Sequence, residues 1–230
     1  MKDFSLLEKK IEVCFKNKDL LYQAFVHRSY LNEHPKFYLP HNERLEFLGD
    51  AVLELIITDY LYKNYPNPEG ELTNWRASLV NSKMLSNVAM ELNLNSLLYL
   101  SKGEAKDTDS KARQLILANT LEALIGAIYI DQGKERAKNF VEKFIIKKLS
   151  QILKNHLYLD PKSRFQEISQ DKLGITPTYQ VLEESGPDHA KIFKVGIFLE
   201  AELVAVGEGK SKQEAQIEAA KKALEKKGWK

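Results

Sequence analysis

The chain has 230 residues, of which 43% are apolar and 29% are charged, so it fits one or two globular domains and excludes a fibrous or disordered protein. Its single cysteine, Cys14, excludes an internal disulfide and a cysteine-based zinc site, and we expect its side chain in the core. The net charge of +2 is too small to indicate a nucleic-acid partner by itself, so any electrostatic footprint must be local.

Signals for export and for membranes are weak. The sequence opens without an apolar run of signal-peptide type. The longest apolar stretch, residues 115–130, is interrupted by Asn119, Thr120 and Glu122 and is too short to span a bilayer. We therefore expect a cytoplasmic protein with no membrane partner.

The first elements are helical. Apolar periodicity predicts helices at residues 5–15 and 19–30, with Asp19 as the N-cap of the second. A third and more informative helix follows at residues 41–62, with the sequence HNERLEFLGDAVLELIITDYLY.

Three acidic residues share one side of this third helix. Glu43, Glu46 and Asp50 lie at i, i+3 and i+7 and form an acidic stripe. Phe47 and Leu53 flank this stripe, so we expect it to be partly enclosed. Like charges one turn apart destabilise a helix, so a divalent cation is the expected counter-charge. A solvated acidic face is the alternative. The apolar face on the opposite side comprises Leu45, Leu48, Val52, Leu55 and Ile56.

The next stretch contains turns and loops. Residues 65–72 are rich in turn formers and carry Glu69 and Glu71, and a helix is predicted from Thr73 to Val80. Residues 102–113 are polar, which indicates a loop or an exposed helix start.

A second informative helix is predicted at residues 115–130, which are apolar around nearly the whole circumference and therefore buried. It nevertheless carries Asn119 and Glu122 at i and i+3. An ionised carboxylate is costly to bury unless it is paired or binds a metal. A buried ion pair is the alternative, but no basic residue lies within reach on this helix, and an amide oxygen also ligates hard cations.

The pattern changes class near residue 160. An amphipathic helix is predicted at residues 134–153, after which the periodicity breaks. A helix from Lys162 to Leu173 then precedes three alternating strands and a closing helix to Lys227. The strands have the sequences TYQVLEES, AKIFKVGIFL and ELVAVGEG.

Several motifs resemble bacterial ribonuclease III. NERLEFLGDAVL and LANTLEALIGAIYID come first, followed by KSRFQE, GPDH and GEGKSKQEAQIEAAKKAL. The resemblance implies an all-α nuclease domain followed by a small α+β (α-β-β-β-α) double-stranded RNA-binding domain. We place the nuclease domain at residues 1–152, a linker at 153–159 and the RNA-binding domain at 160–230.

The same resemblance implies an activity. The expected enzyme is a homodimeric endoribonuclease that cuts double-stranded RNA with Mg²⁺, for which Mn²⁺ substitutes, and without a small-molecule cofactor. The expected products carry 5′-phosphate and 3′-hydroxyl ends with two-nucleotide 3′ overhangs. The expected tasks are processing of ribosomal RNA precursors and turnover of structured RNA.

The resemblance also assigns acidic positions. The four core metal positions fall on Glu46, Asp50, Asn119 and Glu122. We expect the three acidic ones among them to be catalytic. Auxiliary acidic positions fall on Glu43 and Glu69, with Glu71 as the fallback because the spacing before Glu69 is one residue shorter than expected.

Asn119 departs from the family pattern, which usually has aspartate there. Asparagine keeps an oxygen ligand but removes one negative charge, so we expect weaker metal binding. An active enzyme is favoured because the other motif positions are intact. A catalytically weakened double-stranded RNA-binding protein is the alternative. A phosphohydrolase acting on small substrates would leave the C-terminal domain unexplained.

Three separated contacts to A-form RNA are implied for the C-terminal domain. The first helix supplies Ser163, Gln166 and Glu167, and the following loop supplies His189. The phosphates are held at the start of the last helix by Lys210, Ser211 and Lys212.

Four neighbouring residues modify this expectation. Gly207 and Gly209 are expected to allow a close turn before the last helix. Gln213 and Gln216 stand where further basic residues are common in the family, so we expect modest RNA affinity.

Overall fold

The computed structural model describes residues 2–154, 160–187 and 191–229. Its backbone contacts divide the chain into two units, Met1–Tyr158 and Leu159–Lys230. The first unit is helical and the second combines helices with one sheet, which confirms the predicted fold class.

The first unit is built from helices and short 3-10 turns. Two short 3-10 helices, Leu94–Leu97 and Ile146–Lys148, lie between α-helices of this unit. The α-helices are α1 (Ser5–Ile11), α2 (Lys18–Ala24), α3 (Arg28–Glu33), α4 (Glu43–Asn64), α5 (Glu69–Val80), α6 (Ser82–Glu91), α7 (Lys102–Lys106), α8 (Lys111–Gln132), α9 (Lys134–Phe144) and α10 (Leu149–Lys154).

The predicted helix at 19–30 is wrong, because the chain leaves the helical conformation between α2 and α3. Val26 forms a parallel bridge with Tyr99, and the Val26 carbonyl accepts a hydrogen bond from the Asn42 backbone N–H at 2.9 Å. The predicted N-cap is also wrong, since the Asn17 side chain caps α2 by accepting from the Asp19 backbone N–H.

Two other predicted boundaries are wrong. α5 begins at Glu69 rather than at Thr73, because the fixed φ of Pro68 suits a helix start and the acidic residues of the first turn favour the positive end of the helix dipole. The predicted helix 134–153 breaks at Ile145, where a 3-10 turn redirects the chain.

The core of the first unit is organised by α8. Leu121, Leu124 and Ile125 are fully buried, as predicted for this helix. At 22 residues it is longer than the predicted stretch, and by length and hydropathy alone it meets the criterion for a membrane span. Because 61% of its apolar window is buried inside the fold, a core position accounts for its composition.

Three apolar side chains differ from expectation. Cys14 is exposed rather than buried in the core. Leu55 is 56% exposed although it was predicted on the buried face of α4, and Phe47 is 82% exposed and does not enclose the acidic stripe. Leu53, on the other flank, is fully buried.

The second unit is an antiparallel sheet in the order β1 (Thr178–Ser185), β2 (Ile192–Leu199) and β3 (Glu202–Gly209). The helices α11 (Pro161–Leu173) and α12 (Lys212–Lys227) complete it. Its core contains Phe165 and Ile197, both fully buried.

Candidate metal centre and RNA interface

α4 and α8 cross in direct backbone contact. A Cβ atom added at Gly49 would lie 1.8 Å from the Glu122 carbonyl oxygen, and one added at Gly126 would lie 2.3 Å from the Leu45 carbonyl oxygen. Each helix thus has a glycine at the point where the backbone of the other helix packs against it. This reciprocal contact brings the side chains that neighbour Gly49 towards those of α8.

Four predicted site residues meet at this crossing. Asn119 on α8 hydrogen-bonds to the Glu46 carboxylate on α4. Glu46, Asp50 and Glu122 are close enough that their charges act on one another. The structure therefore brings together the four positions expected to bind metal.

The pKa values reflect burial and mutual repulsion. Burial raises the pKa of Glu122 to about 8, and the nearby Asp50 and Glu46 add to the rise. Burial also raises the pKa of Glu46, with contributions from Glu43 and Asp50, while the Asn119 hydrogen bond opposes the rise. The site therefore concentrates negative charge that a cation would stabilise.

The donor set suits a hard divalent cation. It is made of carboxylate and carboxamide oxygens, which Mg²⁺ prefers, and in the described part of the chain no lysine or arginine forms an ion pair with Glu46, Asp50 or Glu122. Within the same residues, no three His, Cys, Asp or Glu side chains already enclose a metal position. The carboxylates therefore lie near one another without already forming a complete coordination sphere in the described residues.

The auxiliary acids differ in position. Glu43 begins α4 within reach of its neighbours' charges, with Arg28 Nη1 at 3.4 Å and His41 Nδ1 at 3.7 Å from its carboxylate. Glu69 begins α5 and accepts a hydrogen bond from Thr73 Oγ1 at 3.0 Å. Among the described residues it makes no contact with the four, and it lines a cavity of about 840 Å³ at the end of α4. The fallback, Glu71, accepts from Asn67 Nδ2 at 2.8 Å.

The first predicted RNA contact lies on α11. Ser163 donates to the N-cap Asp160 carboxylate from its backbone N–H and its hydroxyl, both at 3.1 Å. Gln166 and Glu167 are exposed on the same helix. His189 lies outside the described residues.

The second described contact surrounds the start of α12. Ser211 is the N-cap and accepts from the Glu214 backbone N–H at 3.1 Å. Lys212 pairs with Glu184 on β1 at 3.1 Å, and Lys191 pairs with the same carboxylate at 3.3 Å. Lys210 is exposed. Glu184 therefore offsets part of the positive charge that the sequence predicts here.

The two glycines before α12 have a different role from the predicted turn. A Cβ atom at Gly207 would lie 2.2 Å from the Ala219 backbone nitrogen, and one at Gly209 would lie 2.6 Å from the Ala215 nitrogen. Both glycines therefore let β3 pack directly against the α12 backbone.

Two contacts at these sites were missed from the sequence. Arg28 beside Glu43 is one, and the Lys162 Nζ donation to Gln216 Oε1 at 2.7 Å is the other. Both pairs join residues that are distant along the chain, and no local pattern indicates them.

The chain thus combines a helical unit that has an oxygen-donor site at a helix crossing with an α-β-β-β-α unit that has lysines at a helix start. A family profile described as Ribonuclease-III-like matches residues 17–149, and one described as a double-stranded RNA binding motif matches residues 161–227.

Curated relatives agree over nearly the full length. Ribonuclease 3 of Carboxydothermus hydrogenoformans is 46% identical over 220 residues, which cover 95% of this chain and 93% of the relative. Ribonuclease 3 of Bacillus licheniformis is 44% identical over 225 residues, with 97% and 89% coverage.

A solved structure also matches. The nuclease domain of ribonuclease III from Campylobacter jejuni, described with flexibility in a region involved in dimer formation, is 38% identical with a TM-score of 0.55. The match covers 63% of this chain and 97% of that domain. The chain belongs to the ribonuclease III family, whose members are metal-dependent endoribonucleases, and its C-terminal domain is a double-stranded RNA-binding domain.

Proposed function

We propose that this chain is a homodimeric, Mg²⁺-dependent ribonuclease III that leaves 5′-phosphate and 3′-hydroxyl ends with two-nucleotide 3′ overhangs. The observation that carries the proposal is the meeting of Glu46, Asp50 and Glu122 at the crossing of α4 and α8. Mn²⁺ is expected to substitute for Mg²⁺, because it accepts the same oxygen donors.

Glu46, Asp50, Asn119 and Glu122 would hold the ion. A bound divalent cation supplies water activation and neutralisation of the charge that develops on the leaving oxygen. Glu122 carries a proton below pH 8 in the metal-free site and must release it to offer a charged ligand. Asn119 orients the Glu46 carboxylate through its hydrogen bond.

We assign auxiliary roles to Glu43 and Glu69, both exposed at helix starts. The backbone amides at a helix N-terminus and the helix dipole favour an acidic side chain at that position. Glu71, which accepts from Asn67, is the fallback for Glu69.

A homodimer is supported by an exposed apolar stripe along α4. Phe47, Leu55 and Tyr62 are 82%, 56% and 80% exposed, and their spacing of eight and seven residues places them on one face of the helix. An exposed apolar face of this kind marks an interaction surface, and a two-fold axis would pair the stripe with itself. The Campylobacter jejuni domain is described as having a region involved in dimer formation, which supports a dimer but does not locate its interface.

The RNA contacts follow from the second unit. We assign minor-groove contacts to α11 and to the loop that contains His189, and phosphate contacts to the start of α12. The residues are Ser163, Gln166, Glu167, His189, Lys210, Ser211 and Lys212. The domain limits proposed from the sequence, 1–152 and 160–230, contain both family matches. Processing of ribosomal RNA precursors and turnover of structured RNA in the cytoplasm, without a membrane partner, complete the proposal.

Asn119 supports a second candidate, a double-stranded RNA-binding protein with weakened catalysis. Its amide donates to Glu46 where an aspartate would add a negative charge. Weaker metal binding would then leave RNA binding dominant.

Cleavage of a long RNA duplex across a Mg²⁺ titration tests the proposal. We expect product with the unmodified chain, no product with Glu122→Ala, and equal duplex binding by both proteins in EDTA. Glu142→Ala, at a half-exposed position on α9, is the matched control and should cut normally. No product from the unmodified chain at any Mg²⁺ concentration would favour the second candidate, and cleavage by Glu122→Ala at the normal rate would reject the metal site.

A further inference from the structure

The start of α12 carries less available positive charge than the family pattern has, because Lys210 is its only exposed lysine that forms no ion pair among the described residues. Gln213 and Gln216 provide no charge, and the charge of Lys212 is offset by Glu184 at 3.1 Å. A surface that binds RNA phosphates needs lysine or arginine side chains whose charge is available. A basic side chain from a neighbouring element would therefore strengthen the phosphate contact made at the start of α12.

Lys162, in the first turn of α11, reaches the start of α12. Its Nζ donates to Gln216 Oε1 at 2.7 Å and lies 5.0 Å from the centroid of the Tyr179 ring. Both partners are uncharged, and in the described part of the chain Lys162 forms no ion pair. No carboxylate of the described residues therefore pairs with this ammonium group, while two contacts restrict its position.

The position of this ammonium group fits a phosphate contact. Gln216 follows Lys212 by one helical turn, so both lie on the same face of α12. Ser163, assigned to the minor groove, is the next residue on α11. Lys162 therefore stands between two elements that the proposed RNA surface already uses.

We propose that Lys162 binds an RNA phosphate and that Gln216 positions it, so that α11 adds to the charge available at the start of α12. This inference rests on the proposed binding of double-stranded RNA. A side chain already held in place loses less conformational entropy on binding, which favours a lysine fixed in this way over a mobile one.

Duplex binding at several salt concentrations tests the inference. The full chain is titrated with a fluorescent RNA duplex of about 20 base pairs, longer than the roughly 16 that one such domain spans, in EDTA to prevent cleavage. Lys162→Met should weaken binding several-fold and reduce the slope of log affinity against log salt by about one, since one phosphate contact is lost.

A second substitution separates charge from packing. In Lys162→Met with Gln216→Lys, the ammonium group returns from α12 to the same place, so both affinity and salt slope should recover. Lys172→Met is the matched control, because Lys172 lies on the same helix near an aromatic ring, 6.0 Å from the Trp229 centroid, but at the opposite end. It should leave the slope unchanged.

The outcomes separate this inference from the proposed function. An unchanged slope for Lys162→Met, whether affinity holds or falls through lost packing, overturns the role of Lys162 as a phosphate contact. A lowered slope that Gln216→Lys does not restore overturns the shared position with Gln216. If the double substitution Lys210→Glu, Lys212→Glu leaves duplex binding intact, the proposed RNA surface itself is wrong.

Discussion

Replacing Glu122 with glutamine should stabilise the metal-free protein while abolishing cleavage. The carboxylate of Glu122 is half-buried beside Asp50 and Glu46, and its pKa is raised to about 8. Glutamine keeps the shape and the hydrogen-bonding capacity but carries no charge. The substitution therefore removes a repulsion that only a bound cation would otherwise relieve.

The magnitude follows from the pKa. A rise from 4.5 to about 8 corresponds to a destabilisation of about 5 kcal/mol when Glu122 is ionised, at 1.36 kcal/mol per pH unit. Because Glu122 is partly solvated, we discount this upper bound to about 1–3 kcal/mol. The folded state binds the proton more tightly than the unfolded state, so the native protein loses stability as pH rises from about 4.5 to about 8.

Urea denaturation in EDTA at pH 5 and at pH 8.5 measures the effect. We expect Glu122→Gln to differ little from the unmodified chain at pH 5 and to be more stable at pH 8.5. Glu142→Gln, at a half-exposed position whose only ion pair among the described residues is the weak one with Lys138, should change the free energy of unfolding by less than about 0.5 kcal/mol at both pH values. Equal stabilities at pH 8.5, or a loss with Glu122→Gln at both pH values, would refute the reasoning.

Three further substitutions give distinct outcomes. Gly49→Ala should push α4 away from α8, because the added Cβ would meet the Glu122 carbonyl. We expect the free energy of unfolding in urea to fall by more than about 2 kcal/mol and the Mg²⁺ concentration needed for cleavage to rise, and unchanged stability would contradict the direct helix contact. Asn119→Asp adds a negative charge, so it should lower both the Mg²⁺ concentration for half-maximal cleavage and the thermal unfolding midpoint in EDTA. A higher Mg²⁺ requirement would exclude residue 119 as a metal ligand. Glu184→Gln should tighten duplex binding by about threefold at low salt, because it releases Lys212 from its ion pair. A fluorescence titration that shows weaker binding would contradict the idea that Glu184 competes with RNA phosphates for Lys212.

The sequence predicted the parts of the fold that depend on local periodicity. The apolar circumference of residues 115–130 identified α8, and the three alternating strands gave the sheet in its observed order. The break at Val26 was not predictable, because the helical pattern is local whereas the bridge to Tyr99 joins residues distant along the chain. The helical start at Glu69 was missed because the Pro and Gly residues around it also suit a turn.

In the candidate site, too, the features set by local sequence were predictable and those set by contacts between distant residues were not. The charge pattern placed Glu43, Glu46 and Asp50 on one face, but only the glycine contacts between α4 and α8 explain why Glu122 joins them. The exposure of Phe47 was not predictable from the sequence, because the buried residues of α4 extend around more than one face of the helix.

Anomalous X-ray scattering from crystals of the chain grown with Mn²⁺ tests the central claim most directly. The account predicts a peak within about 2.0–2.3 Å of oxygens from Glu46, Asp50 and Glu122, at the crossing of α4 and α8. A metal bound elsewhere, with no peak at this crossing in crystals of a preparation that cleaves duplex RNA, would contradict it.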